Sequence, residues 1–337
     1  MKFRFSNLTE LLAILQAEGL SPEAYAVKRE AFMSSRTEVQ VLEELDLRIQ
    51  VTRSALVNGV SKGQYSRSGL TTASALAFSK TPRRIVRDPF FARTVAYALA
   101  VNEVNACGGK VVSFPTAGSS GIVPGAIWAW WDSFSDPSSG KGVGDDNQDL
   151  RIPPPPELQP PYPEKLRGAF LISSLVGVLI AQSATLAGAE GGCQAECGSA
   201  GAMAAGALSY LEGLSLDRCF SAAALSLKNS LGLACDPVAG LVEVPCVKRN
   251  AFVAVQALVA TELTLAGIQS LIPFDEVVWA MKTIGDAMPA SIKETAEGGL
   301  ALTPTALTFR DKINTLDGPI PPGPEERGIG ARKEKTR

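Results

Sequence analysis

The feature that most limits the fold of this chain is a run of Ala-rich helical segments across residues 194–300, separated only by short breaks. Apolar residues in these segments recur with the period of an α-helix. Strand candidates are scarce, and only 111–114 and 241–244 have the right character. We therefore predict a mainly α fold, with helices in this part of the chain over 196–213, 216–232, 249–270, 274–285 and 289–299.

Helical patterns also fill the first third of the chain. Asn7 and Ser21 are typical N-caps, Pro22 suits the first turn of a helix, and Gly19 suits a helix end. Amphipathic helices are expected to bury their apolar sides in the core. We predict N-terminal helices in 1–60 that pack on one large helical domain, and that domain is formed by 61–132 and 166–310.

Residues 133–165 interrupt the helical pattern. Seven of the 22 prolines lie in 153–163, and an acidic Gly/Ser stretch precedes them. A run of this composition favours solvated, polyproline-like chain over a packed core. We predict a disordered Pro/Gly-rich insertion over 133–165 and a disordered tail over 311–337.

The segment 169–189 is long and apolar enough to raise the alternative of a membrane span. It carries hydroxyl side chains and Gln182, and basic residues do not flank it asymmetrically, as the topology of a membrane span would favour. A helix that is apolar all round can also lie at the centre of a globular domain. We favour the buried core helix and expect no membrane partner.

Charge and composition exclude several classes of function. The 337 residues include 32 Lys and Arg against 34 Asp and Glu, which gives no electrostatic case for a nucleic-acid partner. The chain contains no histidine, so Ser-His-Asp and Cys-His catalytic sets and His-ligated metal sites cannot be built from it alone. The first residues lack the pattern of a signal peptide, and we expect a cytoplasmic protein.

Six cysteines divide into two groups by position. Cys193, Cys235 and Cys246 fall at breaks between predicted helices, at spacings of 42 and 11 residues. These spacings match neither zinc ribbons nor bacterial ferredoxins, so a metal site and simple burial both remain open. The remaining cysteines lie in or at the end of helical patterns and are interpreted as small apolar core residues: Cys107, Cys197 and Cys219.

Three segments carry polar groups suited to binding. The stretch 61–74 is rich in hydroxyl side chains, and 115–121 is a small-residue turn that leads into a helix. Consecutive backbone N–H groups at such a turn suit a carboxylate, although a plain helix entry explains the glycines equally well. Lys248, Arg249 and Asn250 stand at the start of a predicted helix, where basic residues oppose the helix dipole. This favours a function for Lys248, although a solvated turn explains it as well.

Three long motifs resemble the α chain of iron–sulfur-dependent L-serine dehydratase. They lie at 113–127, 186–208 and 227–255, and the last contains the specific string CDPVAGLVEVPC. VNEVNA at 101–106 and KETAEGGLALTPT at 293–305 also match. The resemblance runs from about residue 5 to residue 310 and leaves out the insertion and the tail.

The resemblance implies a helical domain that holds a [4Fe–4S] cluster through Cys193, Cys235 and Cys246. The open iron would act as a Lewis acid toward the hydroxyl of L-serine, which is deaminated to pyruvate and ammonia without pyridoxal phosphate. It also implies a β chain and an oligomeric enzyme, and the β chain would supply the base if the base is an imidazole. Candidate substrate residues are Ser66, Ser68, Thr71, Ser119 and Ser120, with Lys248 as a further catalytic candidate.

One loop departs from the family pattern. The family usually reads SGLTGGDA, and this chain reads SGLTTASA at 68–75. Two glycines and an aspartate are replaced, which restricts the backbone and removes a hydrogen-bond acceptor. The alternative prediction is therefore a cluster-binding α-like subunit or regulator without full dehydratase activity. A pyridoxal-phosphate dehydratase is a weaker alternative, because no lysine lies in a convincing Schiff-base setting.

Overall fold

The computed structural model describes residues 3–82, 85–135 and 151–315. Within these ranges the chain is helical and contains no strand beyond two isolated β-bridges. The predicted mainly α class is therefore confirmed. The helices of the described residues are α1 (Leu8–Glu18), α2 (Pro22–Ser34), α3 (Glu38–Ser61), α4 (Ser74–Lys80), α5 (Pro89–Ala106), α6 (Ile122–Phe134), α7 (Glu164–Ser183), α8 (Gly188–Gly191), α9 (Ser199–Leu211), α10 (Leu216–Lys228), α11 (Cys246–Leu265), α12 (Phe274–Ala287) and α13 (Pro304–Asn314).

Local capping signals explain where the first helices begin and end. The side chain of Asn7 accepts a hydrogen bond from the amide of Glu10, and that of Ser21 accepts one from Ala24. Gly19 ends α1 in the left-handed conformation, with a φ of 63°. These are the positions that the sequence pattern predicts.

The last predicted helix, over 289–299, is wrong. The chain instead forms two short 3₁₀ turns, Ala290–Ile292 and Gly299–Leu302. The glycine pair that precedes the second turn breaks the helical pattern. Neither strand candidate finds a partner strand, and 241–244 belongs to a tight turn that the amide of Val238 closes on the carbonyl of Val244 at 2.9 Å.

Helix α5 is the centre of the fold. It contacts α3, α4, α6 and α11, and it is buried along most of its length. Small residues let the neighbours approach closely: a Cβ atom added at Gly125 of α6 would lie 2.7 Å from the backbone nitrogen of Ala98. The Ala- and Gly-rich composition is therefore used to pack helix backbones against each other.

A buried ion pair joins four parts of the chain. The Arg53 guanidinium donates to both carboxylate oxygens of Asp132, at 2.8 and 3.0 Å. The hydroxyl of Tyr97 donates to the same carboxylate, and the ring of Trp128 lies 4.5 Å from the guanidinium carbon. Arg53 Nε also donates to the carbonyl of Pro156 at 2.9 Å. Every face of this buried charge is thus occupied by a partner.

The Pro-rich segment 151–163 is irregular but does not lie free in solvent. Ile152 and Tyr162 are buried, and the amide of Ile152 donates to the carbonyl of Ser79. Most of these residues are exposed, as predicted for a solvated segment, but the segment is not free of the core, because some of its apolar side chains are buried. Residues 136–150, which complete the predicted disordered insertion, lie outside the described residues.

The predicted tail differs from the structure at its start. Helix α13 continues to Asn314, so residues 311–314 are helical. Thr303 caps this helix and Pro304 occupies its first turn. These residues are helix-start signals, and the prediction of a disordered tail from residue 311 did not allow for the helix that they begin. The rest of the predicted tail, residues 316–337, lies outside the described residues.

Helix α7 carries the apolar segment that raised the membrane alternative. Its length and composition alone would allow it to cross a membrane. Yet 67% of its most apolar window is buried inside the structure, against α2, α9 and α12 among others. This burial favours the core role for α7.

Candidate metal centre

The three cysteines at the predicted breaks lie where regular helix is interrupted. Cys193 follows Gly192, whose φ of 73° permits a sharp turn before a π-helical turn over Gln194–Gly198. Cys235 lies in the connection between α10 and α11, and Cys246 is the first residue of α11. All three are buried, with 2%, 3% and 7% of their surface exposed.

Two of these cysteines meet at a carboxylate. The Sγ atoms of Cys193 and Cys235 and a carboxylate oxygen of Glu196 all lie within 4.8 Å of one another. Cys235 Sγ is 3.5 Å from Glu196 Oε2. The structure thus brings together residues 42 positions apart in sequence, and this set offers thiolate and carboxylate ligands to a metal.

Cys246 completes the predicted set without belonging to that tight group. Burial and the nearby negative charge of Cys193 raise the pKa of the Cys246 thiol to about 12. The same two causes raise the pKa of Glu196 to about 7. The two raised pKa values indicate that Cys246 and Glu196 both experience the negative charge of Cys193.

Cys197, interpreted from the sequence as a core residue, is buried but also lies beside this site. Its Sγ atom is 3.4 Å from Cys193 Sγ. Hydrogen bonds from the thiols of Cys197 and Cys235 hold the pKa of Cys193 well below its usual range, and the Arg249 guanidinium adds to the effect. The spacing of four residues between Cys193 and Cys197 was the signal for this contact.

Arg249 is a partly buried cation of the site, and the sequence analysis noted it only beside Lys248 and gave it no role of its own. Its Nη1 donates to the carbonyl of Ala234 at 2.8 Å, and its Nη2 lies 3.7 Å from Asp236 Oδ1. The positive charge of the guanidinium also helps to lower the pKa of the Cys193 thiol. A fixed positive charge beside a buried sulfur favours the thiolate form, which is the form that binds metal.

Lys248 lies on the other side of the same helix start. It is exposed and lines a pocket of about 480 Å³ together with Phe252 and Arg249. Both cations therefore border this pocket, but Lys248 is exposed, whereas Arg249 is partly buried and its guanidinium also contacts the loop that carries Cys235.

Ser68 and Thr71 lie in a tight loop, and a residue that sequence reasoning missed holds both of them. Ser68 Oγ donates to Glu243 Oε1, and Thr71 Oγ1 donates to Glu243 Oε2, both at 2.6 Å. Ser66 Oγ is 2.9 Å from Ser68 Oγ. The predicted hydroxyls are thus gathered at one place, next to the loop that carries Cys235 and Cys246.

Ser119 and Ser120 are both completely buried at the entry to α6. Ser119 Oγ donates to the carbonyl of Phe114 at 2.7 Å, so it serves the turn itself. The neighbouring Thr116 makes the link to the cysteines, since its hydroxyl donates to Glu196 Oε1 at 2.9 Å. The turn therefore borders the site through a residue that was not predicted.

The loop that departs from the family pattern keeps a glycine-like conformation. Ala73 has a φ of 55°, in the left-handed region that glycine adopts more easily. The amides of Ser74 and Ala75 donate to the carboxylate of Glu103 at 2.6 and 3.0 Å. A buried carboxylate from α5 thus caps α4 at the point where the family has its own aspartate.

The last two cysteines stand apart from the site. Cys219 is buried in α10, and its thiol lies 3.6 Å from the carbonyl of Leu214. Burial raises the pKa of Cys219 to about 12 and that of Cys107 to about 11. Cys219 is a core residue as predicted, whereas Cys107, at the end of α5, is only partly buried, and the charge of Glu243 also contributes to its raised pKa.

Known proteins share both the length and the motifs of this chain. Residues 17–301 match the family described as serine dehydratase alpha chain. The probable L-serine dehydratase alpha chain of Bacillus subtilis (strain 168) is 37% identical over 311 residues, which are 92% of this chain and 95% of that protein. The L-serine dehydratase alpha chain of Peptoniphilus asaccharolyticus is 36% identical over 89% of this chain and 95% of its own length.

A longer relative shows the same match. L-serine dehydratase 1 of Escherichia coli (strain K12) is 33% identical over 89% of this chain, and the matched part is 62% of that protein. The matches to the two alpha chains run over nearly all of their length, and the family match over residues 17–301 spans the segments that carry the cysteines. On this evidence, the chain belongs to the serine dehydratase alpha chain family.

Proposed function

We propose that this chain is the alpha subunit of an L-serine dehydratase, a lyase that converts L-serine to pyruvate and ammonia. The reaction removes the Cα proton and the hydroxyl group of serine as water. The resulting enamine tautomerises and takes up water, which releases ammonia. Family membership and the names of the relatives support this assignment.

The single observation that carries the proposal is the cysteine set at the helix breaks. Cys193, Cys235 and Cys246 would hold a [4Fe–4S] cluster: the first two lie in one group with Glu196, and Cys246 is buried within electrostatic reach of Cys193. The residues fit such a group, because the thiols are buried, the thiolate of Cys193 is favoured and Arg249 supplies a positive charge against the negative sulfurs. A cluster held by three cysteines has one iron free to supply Lewis acidity toward a hydroxyl group.

The remaining catalytic candidates belong to the surroundings of this set. Ser68, Thr71, Ser119 and Ser120 would orient the substrate or support the loops that do so, and Lys248 is the candidate at the pocket rim. Thr71, Ser119 and Ser120 are buried. Side chains held this firmly fix a bound substrate at low entropic cost.

The proposal includes a partner and a compartment. A β chain would join this alpha chain in an oligomeric enzyme, as the designation of the relatives suggests. It would also supply an imidazole if the base that removes the Cα proton is a histidine, since this chain has none. The reaction needs no pyridoxal phosphate, and the cytoplasm is the expected location.

Anaerobic purification with the β chain tests the proposal. We expect a brown protein with about four irons per alpha chain, a visible charge-transfer absorption and pyruvate formation from L-serine. Brown protein that forms no pyruvate would support the alternative of a cluster-binding subunit without full activity. A colourless protein that needs detergent would contradict the assignment.

A further inference from the structure

Glu243 is a buried carboxylate that the proposed chemistry leaves without a role. Only 5% of its surface is exposed, and it lies three residues before Cys246. Each of its two oxygens accepts one hydrogen bond of 2.6 Å, one from Ser68 and the other from Thr71. A carboxylate that accepts at both oxygens is matched to these two donors in number and in direction.

The two donors belong to a compact hairpin-like loop over residues 64–73. The amide of Ala73 donates to the carbonyl of Gln64 at 2.8 Å, and Tyr65 forms a β-bridge with Thr72. Glu243 lies in the turn between Val238 and Val244, which belongs to the segment that carries Cys235 and Cys246. The carboxylate therefore fastens one preformed loop to another across more than 170 positions of sequence.

The hydrogen bonds also fix the direction in which the hydroxyl groups can act. The protons of Ser68 and Thr71 are committed to Glu243. Ser68 Oγ also accepts from the amide of Leu70 at 3.0 Å and lies 2.9 Å from Ser66 Oγ, so its lone pairs serve the loop itself, whereas Thr71 Oγ1 keeps lone pairs for a further partner. Lone pairs accept from an ammonium or a hydroxyl group but repel a carboxylate. In this arrangement the loop is prepared for the hydrogen-bond donors of an amino acid.

We infer that Glu243 is a positioning residue, which holds the loop of residues 64–73 against the cysteine-bearing segment through Ser68 and Thr71 and orients the hydroxyl of Thr71 as an acceptor toward the substrate. The inference rests on the proposed function for the identity of the substrate. Its structural part, the attachment of one loop to the other, stands without it.

The test uses Glu243→Gln in the iron-loaded protein assembled with its β chain. The amide group cannot accept from both hydroxyls, so one of the two bonds is lost. We expect the KM for L-serine to rise about tenfold with kcat changed less than about twofold, and iron content to stay at the wild-type level. In hydrogen–deuterium exchange, the amides of 64–73 should exchange about tenfold faster. Glu243→Asp keeps both carboxylate oxygens. Its KM for L-serine and its exchange rates at 64–73 should therefore lie between those of Glu243→Gln and the wild type.

Glu212→Gln is the matched control, because this carboxylate accepts from the indole of Trp130 and lies on the surface. It should leave KM and the exchange of 64–73 unchanged. Thr71→Val removes one donor and leaves Glu243 in place, so it tests the same attachment if the Gln variant does not fold. Wild-type KM and exchange in Glu243→Gln, or loss of iron with unchanged exchange, would overturn the inference. If the protein has no activity on serine at all, the exchange and iron measurements still decide the structural part.

Discussion

The region around α5 and the region around the cysteines are buried to a similar extent but are built differently. Trp128, next to α5, and Cys193 are both almost inaccessible to solvent. Around α5 the chain is regular helix, and most buried residues are apolar, apart from the pair of Arg53 and Asp132 and the carboxylate of Glu103. Around Cys193 the backbone is a series of turns, and carboxylates, thiols and a guanidinium are buried together.

The difference shows how this fold divides its tasks. A helix satisfies its own backbone groups and can be packed closely, but its side chains project at fixed intervals. In a turn the side chains are not held at helical intervals. Cysteines that are distant in sequence can therefore point to the same place. The helical region supplies stability, and the turns that it supports supply the chemistry.

Substituting a cysteine in each region gives the largest contrast. Cys193→Ser should lose most of the iron and reduce activity by more than about 100-fold, because a ligand of the proposed cluster is removed. Cys219→Ser, in α10, should keep both. Iron analysis and pyruvate formation measure the two variants side by side, and equal iron content in both would refute the division of the cysteines.

Replacing the cation of the site should have the next largest effect. Arg249→Met removes the positive charge beside Cys193 and should speed the release of iron, with a loss of activity of about 10- to 100-fold. Arg249→Lys keeps the positive charge but not the planar guanidinium group. Its rate of iron release should lie between those of Arg249→Met and the wild type. The rate of iron release to a chelator under anaerobic conditions measures the effect. Unchanged rates in Arg249→Met would show that the guanidinium does not stabilise the site.

A substitution in the helical region should affect stability alone. The added Cβ of Gly125→Ala would lie 2.7 Å from the backbone of Ala98, so we expect a loss of about 1–3 kcal/mol in the free energy of unfolding. Iron content in the folded protein should stay normal. Urea unfolding of the iron-free protein measures the change, and a parallel loss of iron would mean that the two regions are not independent.

The smallest effect is expected at the loop that departs from the family pattern. Ala73→Gly removes the strain of a left-handed alanine and should stabilise the protein by up to about 1 kcal/mol. Ala77→Gly, in the exposed part of α4, should destabilise it by about 1 kcal/mol. Opposite shifts in the urea midpoint would confirm the strain, and a shift of the same sign in both variants would contradict it.

The sequence predicted much of the fold because its helix signals are local. Asn7 and Ser21 start helices and Gly19 ends one at the expected positions, since each acts on residues within one turn. The prediction failed at 289–299. There the amide of Cys235 donates to the carbonyl of Ile292, and the amide of Glu294 donates to the carbonyl of Cys235. No local pattern reports such a pairing.

The candidate site was predictable only as a set of residue types. Cysteines at helix breaks and hydroxyl-rich loops could be recognised from the sequence, and the resemblance named the three cysteines. Glu196, Glu243 and Arg249 could not be found in this way, because their roles come from contacts over tens to more than a hundred residues of separation. Lys248 was named in place of its neighbour because sequence does not tell which of two adjacent cations turns inward.

The buried ion pair of Arg53 and Asp132 has a consequence for any screen of mutational tolerance. Arg53 contacts α6 and the segment at Pro156, so few replacements can satisfy all of its partners at once. Removing one member of such a pair typically lowers stability by about 3–5 kcal/mol. A screen that scores survival would therefore rank Arg53 beside the cysteines, although it lies outside the candidate site. Measuring iron content as well as survival separates the residues that stabilise the fold from those that hold the proposed cluster.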